Sequence, residues 1–155
     1  MDDVKEILLR QLHSTNPEIR DAATEKLWRL WFGAAGPQEE HRLLRAERLV
    51  EMGEFRAAEE ILNRVIEEHN DFAEAWNRRA TLRFVWHRYA ESIADCKIVV
   101  QLEPHHFGAW HGLGLGLMHL RRYPEAIHAF RRALEIQPFA QTNWELIGEC
   151  LGKIN

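Results

Sequence analysis

The chain has 155 residues, 46% of them apolar, which suits one ordinary domain or a short array of repeats and excludes a disordered segment. No apolar run approaches the ~20 residues that a bilayer-spanning helix needs. Met1-Asp2-Asp3-Val4-Lys5-Glu6 is too acidic to open a secretory signal. A soluble intracellular protein is expected, in the cytoplasm or in an organelle stroma if a targeting segment has been removed. Cys96 and Cys150 are the only cysteines, too few for a disulfide scaffold or a cysteine metal site. With 24 acids against 20 bases, the net charge of −4 argues against a nucleic-acid backbone as partner.

The first predicted element is a helical hairpin over residues 2–33. Val4, Ile7, Leu8 and Leu12 recur at helical spacing, as do Ile19, Ala22, Ala23, Leu27, Leu30 and Trp31. Asn16-Pro17-Glu18 starts the second helix with a capping side chain, a proline and an acid. Gly33, Gly36 and Pro37 end it. The hairpin, within a segment 1–38, is expected to cap the first unit of the segment after it. A private binding surface, or an arm lying in a groove, is the competing reading.

From residue 39 the chain repeats itself. Trp76, Trp110 and Trp144 are evenly spaced, and the same interval links Ala46, Ala80, Gly114 and Gly148. It also links Phe55, Tyr89 and Tyr123, then Ala58, Ser92 and Ala126, then Leu62, Cys96 and Phe130, then Pro104 and Pro138. The sequence resembles the tetratricopeptide repeat, a helix-turn-helix unit of about 34 residues with the order Trp, Leu-Gly, Tyr, Ala, Phe, Pro. Units are placed at 39–72, 73–106 and 107–140, together 39–140. The resemblance implies an all-α fold, a right-handed α-solenoid. The small residue (Ala46, Ala80, Gly114) lets the first helix approach the second closely, and Ala58, Ser92 and Ala126 reciprocate. The tryptophan is expected in the interhelical core. Arg42, Arg45 and Asn70 depart from the pattern in the first unit, and Arg79 departs in the second. Residues 141–155 repeat only the first-helix pattern, through Trp144, Ile147, Gly148 and Leu151, and read as the capping helix a solenoid needs.

Sites of chemistry are few. Gly112, Gly114 and Gly116 lie inside a predicted helix, with no strand before them, so they form no phosphate loop. Glu125 and His128 have di-iron spacing but lack a second copy. No histidine pair has the i, i+4 spacing of a helical zinc site. Cys96 occupies an apolar slot and reads as a packed thiol. No cofactor, no metal and no enzymatic activity is expected.

The resemblance implies that the first helices line a concave groove, which becomes the expected binding surface. Its candidates are Leu43, Glu47, Val50 and Glu51 in the first unit, Glu74, Asn77, Thr81 and Phe84 in the second, and His111, Leu115, Met118 and His119 in the third. Leu43, Phe84, Leu115 and Met118 would be unwelcome on a solvated face, so they mark either contacts or burial against a neighbouring helix. The first unit carries ten acids and five bases and the third two acids and four bases, which would steer an apolar, basic segment to the acidic end. Family members that bind chaperones hold a C-terminal carboxylate with lysine, asparagine and arginine side chains. Here those slots hold Leu43, Glu47, Arg78, Gly108 and Gly112, so acidic chaperone tails are not the expected partner. The expected function is a non-catalytic adaptor or scaffold, holding an extended or helical segment of another protein, as in complex assembly. A homo-oligomeric module, such as a homodimer built through Trp28, Trp31 and Phe32 of the hairpin, is the main variant. RNA binding through Arg121, Arg122, Arg131 and Arg132 is the remaining one.

Overall fold

The computed structural model describes residues 2–155, Asp2 by its backbone alone. Among the described residues there are nine α-helices and no strand. These are α1 (Asp2–Gln11), α2 (Pro17–Phe32), α3 (Pro37–Glu51), α4 (Phe55–Glu68), α5 (Ala73–Val85), α6 (Tyr89–Leu102), α7 (Phe107–His119), α8 (Tyr123–Ile136) and α9 (Gln141–Ile154). Helices α5, α7 and α9 begin at one constant interval, and α4, α6 and α8 begin at the same interval. Consecutive first helices (α3, α5, α7) touch one another, and no comparable contact joins the second helices, so the first helices form the inner wall. Among the described residues no helix is long and apolar enough to cross a membrane.

The period is maintained by turn chemistry as well as by packing. Each first helix ends in a left-handed residue, Gly53 (φ 78°), His87 (φ 60°) or Arg121 (φ 61°). The next amide then reaches back to close the helix, from Glu54 to the Leu49 carbonyl (2.8 Å), Arg88 to Arg83 (2.7 Å) and Arg122 to Leu117 (2.9 Å). Only the first unit uses glycine there. His87 and Arg121 hold a conformation that disfavours a Cβ.

The tryptophans are not the core residues that the spacing suggests. Each indole N–H donates to a carbonyl six residues earlier, Trp76 to Asn70 (3.0 Å), Trp110 to Pro104 (2.8 Å) and Trp144 to Pro138 (3.1 Å). The rings are lids over the turn between units, at best half-buried. In the first unit Arg42 takes this place and bridges Glu39 (2.9 Å) and Glu68 (2.6 Å). That guanidinium holds the Glu68 carboxyl below its ordinary range, chiefly by hydrogen bonding. In the second unit Arg79 replaces an apolar contact with a two-pronged bond to the buried Asp95 (3.0 and 2.9 Å).

Inside each unit the small slots behave as their positions imply. A Cβ at Gly114 would stand well inside van der Waals contact of the Phe130 ring. Ser92 donates its hydroxyl to the Ala80 carbonyl at 2.7 Å, fastening α6 to α5. Two buried clusters result, one around Leu43, Leu62, Val65 and Leu82, the other around Leu113, Leu117, Phe130 and Ile147.

Helices α1 and α2 do not lie as a lid on the first repeat. They cross the turns that precede α7 and α9, and build a third cluster from Leu8, Leu12, Leu27, Trp31, Phe107 and Ile136. Polar contacts follow the same path, from Lys5 to Glu103 (3.1 Å) and from Gln137 to Thr24 (3.2 Å). The Arg20 guanidinium lies 4.1 Å from the centre of the Phe139 ring. Trp28, Trp31 and Phe32 are therefore spent within the chain, which removes the exposed apolar surface expected of them.

Two substitutions test this account by urea denaturation. Gly114→Ala should lower stability by about 1–3 kcal/mol, because Phe130 must move. Arg121→Gly should raise it by about 0.5–1 kcal/mol, relieving the left-handed residue.

Candidate functional site

One end of the inner wall is closed by the hairpin. The first turn of α5 places Glu74, and the residue before α7 is His106, both wholly buried. His106 Nδ1 accepts the Ala109 amide (3.0 Å) as the cap of α7, so its proton sits on Nε2, which donates to Glu74 (2.9 Å). The Glu74 carboxylate also accepts from Arg78 Nε (2.9 Å) and from Asn77 (3.2 Å). Trp31 stacks on the imidazole, 4.2 Å between centroids and 19° from parallel. Trp28 stands edge-on to Trp31, His106 and Phe107. Its ring tip occupies the space of the missing side chain at Gly108, where a Cβ would meet it at 2.5 Å.

Two expected groove residues, Glu74 and Leu43, are corrected by this arrangement. Glu74 is drawn under Trp31 by His106 and Arg78, and Asn77 is buried beside it. Leu43 is fully buried in the first cluster, against which Phe32 and Ala35 pack. Neither Glu74 nor Leu43 lines an open surface. The acid expected to attract a basic segment at this point is already neutralised from within.

The remaining wall is open and contains two adjoining clefts that share Thr81. One, of about 190 Å³ between α3 and α5, is lined by Glu47, Val50, Glu51, Arg78 and Thr81 above Ala46, Leu62 and Leu82. The other, of about 210 Å³ between α5 and α7, is lined by Asn77, Thr81, Phe84, Gly108, His111, Gly112 and Leu115 above Ala80, Ser92 and Cys96. Thus Glu47, Val50, Glu51, Asn77, Thr81, Phe84, His111 and Leu115 are brought together as candidates. Met118 instead packs half-buried against the third-unit cluster. His119 lies at the rim, stacked on Tyr89 (4.6 Å) and edge-on to Phe84 (5.2 Å). His111 is tied to Asn143 of α9 (2.6 Å).

Arg78 is the residue that sequence reasoning missed. It reaches Glu47 (3.4 Å) across the first cleft and lies over the Phe32 ring (4.9 Å). Its i+4 spacing from Glu74 was the available signal. Below the second cleft, burial and the neighbouring Asp95 push the Cys96 thiol up to about 12, and burial also raises Cys150. Both are free thiols buried in the fold. Away from the wall, ligand atoms of Glu39, Glu68 and His69 come within 4.8 Å of one another, but the Arg42 guanidinium already bridges the two carboxylates. The clefts offer small apolar floors with a few polar groups at the rim, which suits side chains of a bound segment.

Two experiments check these assignments. Glu74→Ala should cost about 3–5 kcal/mol, since it leaves the buried His106 N–H without an acceptor. With a thiol reagent at mildly alkaline pH the native chain should release no chromophore, and both cysteines should react once urea unfolds it.

Comparison with known proteins agrees with this architecture. Two family profiles described as tetratricopeptide repeat match residues 43–102 and 107–140, together more than half of the chain. A repeat-containing protein of Rhizobium etli is 35% identical over 109 residues, 70% of this chain. The chain spans 53% of that protein's length. Among solved structures, the first such domain of Spaghetti (RPAP3), bound to an HSP90 peptide, superposes with a TM-score of 0.71 at 17% identity, covering 73% of this chain and 90% of that one. The Sgt2 domain of Aspergillus fumigatus gives 0.71 at 15% identity, covering 76% and 80%. By its repeats, its helix order and these matches, the chain belongs to the tetratricopeptide repeat family.

Proposed function

We propose that this chain is a non-catalytic adaptor that holds a segment of a partner protein in the open part of its inner wall. The observation that carries the reading is the pair of clefts joined at Thr81. They are spaced along one wall, floored by apolar groups, and edged by Glu47, Glu51 and His111. An extended or helical segment with two apolar anchors would seat one side chain in each. Glu51 is exposed and Glu47 is only partly engaged by Arg78, so a basic residue near the first anchor is favoured.

The related domain of Spaghetti was solved with an HSP90 peptide, and this chain differs from that case. In the family's chaperone clamp a carboxylate is gripped by basic and amide side chains. In this chain Leu43 is buried, Gly108 lies under Trp28, Gly112 offers no side chain, and Arg78 already serves Glu74 and Glu47. An acidic tail would find one engaged arginine beside two acids. The bases suggested for RNA lie in the turn before α8 (Arg121, Arg122) and on α8 (Arg131, Arg132), and Arg122 and Arg132 are paired with Glu125 and Glu135 (both 2.6 Å).

Selection from a displayed peptide library tests the proposal, with the immobilised chain as bait and the Thr81→Arg/Leu115→Arg variant as counter-bait. Peptides with two spaced apolar residues and a nearby base should be enriched, and their affinity should fall at least about tenfold on the variant. Enrichment of acidic C-terminal sequences, or binding indifferent to the variant, would refute it.

A further inference from the structure

Where the hairpin crosses the array it leaves a cavity of about 300 Å³, larger than either cleft of the inner wall. Three segments distant in sequence wall it: the end of α1, the turn before α7 and the end of α8. The floor is apolar, from Leu9, Pro104 and Ile136, and Ile136 belongs to the cluster that seats the hairpin. The rim is basic. Arg10 stands in the last turn of α1 with His13 just beyond it, His105 comes from the turn before α7, and Arg132 from α8. One carboxylate joins them, Glu135, which pairs with Arg132 of its own helix (2.6 Å). Glu103, one residue before Pro104, is engaged by Lys5 (3.1 Å). Among the described residues the side chains of Arg10, His13 and His105 make no hydrogen bond or ion pair. This balance is opposite to that of the whole chain, whose net charge is −4.

We infer that this cavity binds a small organic phosphate, a monoester whose phosphate lies between Arg10 and Arg132 and whose carbon body rests on the floor of Leu9 and Ile136. Two guanidinium groups brought to one cavity repel each other unless an anion stands between them. A phosphate suits that place, because each guanidinium fork matches its oxygens two at a time. Each imidazole offers a further N–H, whichever ring nitrogen carries the proton. Donors arriving from three segments find three free oxygens on a phosphate monoester and only two on a carboxylate. The apolar floor would be idle under inorganic phosphate, so the ligand carries carbon. A cavity of this volume is at the small end of small-molecule sites, which limits that body to a ring or a short chain. Glu135 competes with the ligand for Arg132 and so limits the affinity. Occupancy ties α1 to α8 and fastens the hairpin to the third unit, so the ligand stabilises the docked chain. The site is separate from the clefts of the inner wall and does not depend on their reading.

The test follows the histidine ring protons of the full chain by NMR at fixed pH. The probes are phenyl phosphate, inorganic phosphate and, at matched ionic strength, sodium chloride. Signals of His13 and His105, assigned through His13→Gln and His105→Gln, should move saturably with phenyl phosphate. Inorganic phosphate should bind at least about tenfold more weakly, since it leaves the floor uncovered. Arg10→Gln should weaken phenyl phosphate at least about tenfold. Glu135→Gln should strengthen it, an effect that damage to the fold cannot produce. Circular dichroism should find both variants folded, since Arg10 and Glu135 are exposed. The groove variant Thr81→Arg/Leu115→Arg should bind phenyl phosphate as the unaltered chain does. Shifts that chloride reproduces, or binding indifferent to Arg10→Gln and Glu135→Gln, overturn the assignment. Inorganic phosphate binding as tightly as phenyl phosphate would overturn it as well.

Discussion

Two helices can interlock along their length only where one of them gives up a side chain to the other. In this chain that concession recurs once per repeat, at Ala46, Ala80 and Gly114, and the size of the residue opposite follows from it. Leu62 and Cys96 stand in register with alanines, and Phe130 with the glycine that has no Cβ to meet the ring. Because interiors are packed to crystal-like density, the crossing fixes the distance and angle of each helix pair. It thereby fixes the spacing of the first helices that form the inner wall. The two clefts are the gaps left between those helices, floored by the same residues that set the crossings, Ala46 with Leu62 and Ala80 with Cys96.

The wall is unequal along its length because of one internal ligand. Trp28 fills the place left by Gly108, and Trp31 covers the Glu74–His106 pair. A buried carboxylate is costly unless its lone pairs are satisfied, and here His106, Arg78 and Asn77 satisfy them. These bonds consume the polar groups that a groove of this family would otherwise present at that end. What remains open is the more apolar part. The selectivity proposed for the clefts therefore originates in a hairpin that lies outside the repeats.

The repeats were readable because their signal is multiplied: a slot that is ambiguous once becomes legible when it returns three times. The hairpin helices were readable from Asn16-Pro17 and their apolar spacing, since capping is local chemistry, and Asn16 does accept the Glu18 amide at 3.0 Å. Where the hairpin docks was not readable. That depends on Trp28 meeting Gly108 and His106, residues far apart in the chain that share no period. Leu43 and Glu74 were misplaced for the same reason, because helical spacing gives a face and cannot say what another segment lays upon it. The tryptophans misled differently. A large ring at a fixed interval suggests burial, but its indole N–H needs an acceptor, and the turn carbonyl beside it draws the ring to the surface.

Solenoids are ordinarily linear in their energetics, each unit leaning only on the next, so that they can fray from either end. The hairpin breaks that linearity. By touching the turns before α7 and α9 while remaining covalently joined to α3, it ties the first unit to the third and closes the array into a ring of contacts. Fraying at either terminus must then break contacts made by the other, so the units are bound into a single cooperative transition. Such closure also raises the mean sequence separation of contacts above that of an open array, and so slows folding relative to a simple stack of the same helices. In this chain the geometry of one tryptophan pair sets how its three repeats come apart.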